Sequence, residues 1–214
     1  MIKWIVNWLS DREQRVAVDG EVSDWAKVDS GVPQGSILGP LLFSIFINDI
    51  DNNLTNKILK FADDTKIWGR VDTETERNVM QEDIKKLESW SIKNSMPFNV
   101  GKSKVLHLGK NNVQKEYLLM GIPLSITKEE KDLGVTFNDK FSPSINCNKV
   151  CKSAQGVMGL IRRNIKNRSK EGMLILYKTL VRPLLDYCCQ VWRPHLRKDI
   201  NALERIQKKL TKND

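Results

Sequence analysis

No run of apolar residues in this chain reaches the roughly 18 needed to cross a bilayer as a helix. The opening MIKWIVNWLSDREQR lacks both the apolar block and the small-residue cleavage site of a signal peptide. An intracellular protein without a membrane partner is therefore expected. A complete zinc-binding pattern is also missing. The four cysteines are Cys147, Cys151, Cys188 and Cys189, and the first two resemble half of such a site. With Val150, Ala154, Val157, Met158, Ile161 and Ile165, however, they follow a 3/4 spacing that puts both thiols on the apolar face of a helix, as small core residues. Neither the adjacent Cys188-Cys189 pair nor His195 completes a ligand set. No internal repeat or low-complexity linker is found.

What is present is a globular composition with an uneven charge. The 214 residues are 40% hydrophobic and 29% charged, enough for one large domain or two small ones with real cores. The net charge is +9. Residues 1–140 hold 19 Lys/Arg against 21 Asp/Glu, whereas residues 141–214 hold 16 against 5. The excess positive charge thus sits in the C-terminal third, where a polyanion is the natural partner; a solvated basic surface kept for solubility is the other reading.

The apolar pattern is mixed α and β up to about residue 140. Ile2 to Leu9 predicts a short helix, and Arg15 to Val22 a hairpin turning at Asp19-Gly20. A loop punctuated by glycine and proline, Ser30 to Pro40, leads to Leu41–Ile50, apolar nearly all round and so expected to be a buried helix. Ile58–Ala62 and Thr65–Trp68 predict a hairpin with Asp63 and Asp64 at its tip. Thr73 to Glu76 is a capping box for a helix reaching Asn94 through Met80, Ile84, Leu87 and Ser91/Ile92. Short strands follow near Val105–Leu108, Tyr117–Met120 and Leu133–Phe137. From 141 the pattern is helical: one helix capped by Ser142-Pro143, a second from Ser169 to Pro183, a third over Leu184–Trp192 and a fourth from Asp199, with Ile200, Leu203, Ile206/Gln207 and Leu210 inward.

Chemistry concentrates at two places. Adjacent ionised carboxylates repel, and a turn made only for shape has alternatives without that cost. A divalent cation removes the repulsion, since Mg²⁺ is commonly held by one or two carboxylates together with phosphate oxygens. Taken alone, Asp63-Asp64 also fits a plain turn. In the loop at 31–40, Gly35 and Gly39 allow the backbone close to a flat or anionic ligand, and Gln34 can both donate and accept hydrogen bonds. Its plain reading is a tight turn before a buried helix.

The order of these features carries a resemblance. SGVPQGSILGPLLF at Ser30–Phe43, FADD at Phe61–Asp64, FNVGKSKVLHLG at Phe98–Gly109 and KDLGV at Lys131–Val135 resemble the reverse transcriptase of non-LTR retrotransposons of the jockey and chicken-repeat type. The likeness continues through SKEGMLILYKTLVRPLLDY and LRKDINALERIQKKLTK. It implies an α+β fold, with a partial reverse transcriptase palm at 1–140 (a small antiparallel sheet with packed helices) and an all-helical basic thumb at 141–214. It further implies that Asp63 and Asp64 hold catalytic Mg²⁺ or Mn²⁺, with Asp63 the direct ligand. Gln34 and Gly35 would contact template and incoming nucleotide, Lys102 the nucleotide phosphates, and Leu133-Gly134 the primer end. Arg205, Lys208, Lys209 and Lys212, largely opposite the Leu203/Leu210 stripe, would meet the backbone of an RNA–DNA hybrid or an RNA duplex, with an RNA template, a DNA primer and, if active, dNTP as partners; a plain solvent-facing helix would carry the same charges.

One departure bears on mechanism. The family carries another aspartate on a strand upstream of the glycine loop, within a stretch like FLDFSKAFD, and basic fingers before it. The present sequence begins in the segment after that strand, and neither Asp11 nor Asp19 replaces the aspartate. The expectation is a reverse transcriptase fragment with impaired nucleotidyl transfer; the alternatives are a non-catalytic nucleic-acid-binding protein and a translated relic. Strands that lack their usual neighbour expose an edge and invite self-association.

Overall fold

The computed structural model describes residues 1–166 and 169–211. The chain forms two compact units, Met1–Phe98 and Asn99–Asp214. Its class is α+β, as expected, and the change of charge at 141 falls inside the second unit. In place of one small sheet there are, among the described residues, six two-stranded ladders, five antiparallel and one parallel.

In the first unit, helix α1 (Ile2–Leu9) precedes β1 (Glu13–Gln14), which pairs with β4 (Ala26–Lys27) around the hairpin β2 (Ala17–Val18) and β3 (Glu21–Val22). Asp19 and Gly20 both take positive φ, 51° and 89°, as a two-residue turn with the strands' twist requires. Then come α2 (Leu38–Phe46), a 3₁₀ turn at Ile47–Asp49, the hairpin β5 (Lys57–Phe61) and β6 (Asp64–Trp68), and α3 (Glu74–Lys93). The core is Ile47, Ile50 and Leu87, packed by Phe43, Ile58, Ile67, Trp90 and Phe98 among others.

Two expectations are corrected here. Within α2 only Gly39 is buried, while Leu41 and Ile45 are 56% and 64% exposed. An apolar helix buries only the side that has a partner, and here the core is met by Phe43 and the following 3₁₀ turn. On α3 the capping box forms as read, with Thr73 Oγ1 accepting from the Glu76 N–H at 3.2 Å and Glu76 Oε2 from the Thr73 N–H at 2.9 Å. At the other end of α3 Ser91 is buried and Ile92 points outward.

The apolar stripe of α3 also carries a fully buried carboxylate. Asp83 Oδ2 accepts from the N–H groups of Thr55 (3.0 Å) and Asn56 (2.7 Å) and from Asn56 Nδ2 (2.9 Å), and Oδ1 accepts from Lys86 Nζ at 2.8 Å. Burial alone would raise its pKa; the Lys86 ammonium and the Asn56 and Thr55 donors outweigh burial, and the net shift is downward. The carboxylate thereby fixes the chain immediately before β5.

The second unit begins with β7 (Lys104–Leu106), the hairpin β8 (Leu118–Leu119) and β9 (Ile122–Pro123), then β10 (Ser125–Thr127), which runs parallel to β7. The hairpin β11 (Glu129–Asp132) and β12 (Val135–Asn138) leads into α4 (Pro143–Asn164). Helix α5 (Lys170–Leu176) continues through a π turn at Tyr177–Val181 into α6 (Arg182–Asp186), followed by α7 (Cys189–Trp192) and α8 (Arg197–Thr211). Pro183, expected to end a helix, instead lies in the first turn of α6. The wider turn before it accommodates a residue that has no N–H to donate.

The face read for α4 is the observed one: Cys147, Cys151, Ala154, Met158 and Ile161 are buried. Cys151, Ala154, Met158 and Ile161 pack with Met173, Tyr177, Val181, Leu185 and Ile206. Cys147 joins Val135 and Trp192 in a second cluster. On α8, Ile200 is exposed rather than inward, and the buried positions are Asp199 and Ile206. Asp199 turns inward because its Oδ2 accepts the Ser144 hydroxyl at 2.5 Å, and that bond sets the rotation of the helix. The Leu210 side chain, expected inward, lies outside the described residues.

Two outcomes follow from this packing. Asp83→Asn, which removes the charge partner of Lys86 and sets an amide NH₂ where a carboxylate oxygen accepted, is expected to lower unfolding free energy by about 1–3 kcal/mol in urea titration. Because the folded pKa of Asp83 is depressed, its contribution is present above about pH 4 and is lost as pH falls through the folded value, so the gap between wild type and variant should close in acid. Burial, with a contribution from the Asp199 carboxylate, pushes the Cys147 thiol up to about 11 and raises Cys151 as well. Maleimide at neutral pH should therefore label exposed Cys189 first, and Cys147 and Cys151 only on unfolding.

Candidate functional site

The β5–β6 ladder runs from Lys57↔Trp68 to Phe61↔Asp64, which leaves Ala62 and Asp63 as the turn. This corrects the reading that placed both aspartates at the tip: Asp63 is in the turn and Asp64 is the first residue of β6. Ala62 takes the left-handed φ of 51°, which closes the hairpin one residue earlier than the sequence suggests. Strand alternation then sorts the side chains. Ile58 and Ile67 meet the core. The opposite face carries Asp64 beside Phe61 and Leu59, which are 61% and 57% exposed. Both aspartates are exposed, and neither carboxylate has a bonding partner among the described residues.

The hairpin is rigidly held. Lys60 Nζ reaches Asp51 Oδ1 at 3.0 Å and donates to the Asn48 carbonyl at 3.1 Å. The Lys60 hydrogen bond is the main cause of a lowered Asp51 pKa. Trp90 Nε1 donates to Asp49 Oδ1 at 2.7 Å, joining α3 to the same turn, and Asp83 holds residues 55 and 56.

The glycine loop has its own clamp. Arg12 Nη2 donates to the carbonyls of Gly31 (2.6 Å) and Ser30 (3.3 Å), while its Nε donates to the Leu9 carbonyl at 3.0 Å. The end of α1 is thus tied to the start of the loop. Gln34 and Gly35 are exposed, with Gly35 at φ 77°. Gly39 plays a different part from the one expected. A Cβ there would lie 2.8 Å from Ser36 Oγ and 3.1 Å from the Pro33 carbonyl oxygen. That serine donates to the Pro33 carbonyl at 2.7 Å and accepts from the Gly39 N–H at 3.0 Å. Gly39 is therefore required by the loop's own packing, while Gly35 presents open backbone.

The remaining candidates belong to the second unit. Lys102 is exposed in a turn organised by Asn99, whose carbonyl and Oδ1 each accept from the Lys102 N–H at 3.1 Å. Leu133 and Gly134, at φ 44° and 87°, form the two-residue turn of β11–β12. Arg205, Lys208 and Lys209 are exposed on α8, with Lys208 paired to Glu204 at 3.1 Å; Lys212 lies outside the described residues. Asp63, Asp64, Gln34 and Gly35 thus share the first unit, and Lys102, Leu133, Gly134 and the α8 cations the second.

Among the described residues no three His, Cys, Asp or Glu side chains converge as a metal cluster. Asp63 and Asp64 by themselves are exposed hard oxygen donors adjacent in sequence, and in number and type they suit Mg²⁺, which accepts one or two carboxylates with substrate oxygens. The sequence reading missed Arg12, Asp83 and Lys60. The only one with a legible signal is Asp83, a charge on an apolar stripe; the others depend on which carbonyls and carboxylates the fold brings near.

Comparison with known proteins gives the same frame. Residues 1–137 match the family described as reverse transcriptase (RNA-dependent DNA polymerase). The RNA-directed DNA polymerase from mobile element jockey of Drosophila funebris is 26% identical, over 98% of this chain and 24% of the relative. The probable RNA-directed DNA polymerase from transposon X-element of Drosophila melanogaster is 25% identical, over 96% of this chain and 24% of the relative. The jockey polymerase of the latter species is 24% identical with the same coverage, 96% and 24%. The chain spans about a quarter of the length of these curated relatives. No solved structure matches it. With the match running through both the glycine loop and the aspartate hairpin, this chain belongs to the reverse transcriptase (RNA-dependent DNA polymerase) family.

Proposed function

We propose that the chain is the palm (1–140) and thumb (141–214) portion of an RNA-directed DNA polymerase of a non-LTR retrotransposon. The observation that carries this reading is the aspartate pair: two exposed carboxylates on a hairpin anchored by Lys60 and Asp83, inside the matched segment. Asp63 and Asp64 would hold Mg²⁺ or Mn²⁺, which when bound stabilises charge on the attacking and leaving oxygens of phosphoryl transfer. Asp63, in the turn, is the direct ligand and Asp64 its neighbour. Gln34 and the open backbone of Gly35 face template and nucleotide, Lys102 the phosphates, and Leu133-Gly134 the primer end.

A second reading, nucleic-acid binding without catalysis, is favoured by one specific observation: the net charge of residues 141–214, 16 basic against 5 acidic, with Arg205, Lys208 and Lys209 exposed on one helix. Such contacts follow the backbone of an RNA–DNA hybrid without reading its sequence. The outward face of β5–β6, with Leu59, Phe61 and Trp68 exposed, supports self-association.

Primer extension on an RNA template with Mg²⁺ or Mn²⁺ tests the first reading. Synthesis abolished by Asp63→Ala supports it, whereas synthesis that survives the substitution contradicts the assigned site. Hybrid binding should weaken steeply with salt, and Lys208→Ala should reduce the slope of log K against log salt by about one. Binding that follows the same slope in the variant removes Lys208 from the interface.

A further inference from the structure

We infer that Tyr187 is a positioning residue for the Leu133-Gly134 turn, holding it in one orientation toward a recessed primer end. The inference rests on the palm-and-thumb reading for what the turn meets, and on geometry for how the turn is held. Tyr187 is 55% exposed, so core packing does not account for its ring. Its hydroxyl donates to the Leu133 carbonyl at 3.0 Å. A Cβ on Gly134 would lie 2.8 Å from Tyr187 Cε1, so the ring lies directly against the turn, and only glycine leaves room for it.

Both sides of this contact are anchored in the second unit. Trp192, buried beside Val135 and Cys147, donates its Nε1–H to the Tyr187 carbonyl at 2.7 Å and fixes the backbone from which the ring projects. On the other side, the Thr136 N–H donates to buried Asn146 Oδ1 on α4 at 2.9 Å, which holds β12. The turn residues lie in the left-handed region, at φ 44° for Leu133, a conformation disfavoured in a residue with a Cβ. A hydrogen bond to that residue's own carbonyl is well placed to select it. With its backbone fixed, Leu133, 45% exposed, has the direction of its Cα–Cβ bond set.

The test compares wild type with Tyr187→Phe, which keeps the ring, and Tyr187→Ala, which removes it. Amide hydrogen exchange at residues 132–135 should rise about fivefold in Tyr187→Phe, the effect of one net hydrogen bond, and further in Tyr187→Ala, with α4 amides unchanged. Binding is then measured to two RNA–DNA hybrids, one with a recessed 3′ end and one blunt. Tyr187→Phe should lose about fivefold in affinity for the recessed end and little for the blunt one, a split that general loss of stability would not give. Unchanged exchange in both variants overturns the inference whether or not nucleic acid binds. An unchanged preference for the recessed end in Tyr187→Phe overturns it as well. Wild-type protein that binds neither hybrid overturns the palm-and-thumb reading instead, and the exchange result then decides whether Tyr187 holds the turn.

Discussion

A single buried carboxylate organises the first unit. Asp83 receives two backbone N–H groups, a side-chain amide and an ammonium, so the residues that start β5 cannot shift without leaving donors unpaired in a dry environment. Everything that matters at the other end of the hairpin follows from that fixed start. Lys60 then pins the middle of β5 to Asp51, and Ile58 and Ile67 close over Leu87. Asp63 is carried in the turn and Asp64 at the start of β6, on a hairpin whose base is hydrogen-bonded to Asp83. Like charges are tolerated there because both carboxylates are exposed to water, which screens their repulsion.

The second unit solves a different problem. Lys149, Lys152, Arg162 and Arg163 on α4 and Arg205, Lys208 and Lys209 on α8 are exposed, while Cys151, Ala154, Met158 and Ile206 form part of an apolar cluster. Asp199 is the exception, buried at the start of α8 and satisfied by Ser144. A polar contact near a helix terminus thus sets the rotation of the helix, and with it the direction in which Arg205 and Lys208 point. A surface of this kind suits a partner recognised by charge and shape, whose affinity is controlled by salt.

Much of this was legible in the sequence because the period of apolar residues reports burial directly. The α4 face, the Thr73 capping box and the Asp19-Gly20 turn are local signals, and each appears where read. The candidate residues were legible only as an ordered set of motifs. What the sequence did not disclose were effects of tertiary partners. α2 is apolar on all sides, but only some of those sides meet the core. The turn at the aspartates moved by one residue because Ala62, not Asp64, takes the positive φ. Pro183 sits in a continuing helix because a π turn precedes it. Arg12 and Tyr187 act on carbonyls more than 15 residues away, at separations of 19 and 54 residues. No periodicity encodes such contacts.

The central claim is that Asp63 and Asp64 form a preorganised metal site on an anchored hairpin. Paramagnetic broadening of backbone amide resonances during Mn²⁺ titration addresses it directly, without requiring catalysis or a nucleic acid. At low Mn²⁺ the account predicts selective loss of signal around residues 61–65, abolished by Asp63→Ala with the rest of the spectrum unchanged. Broadening spread evenly over acidic surface residues, or unaffected by the substitution, would contradict it.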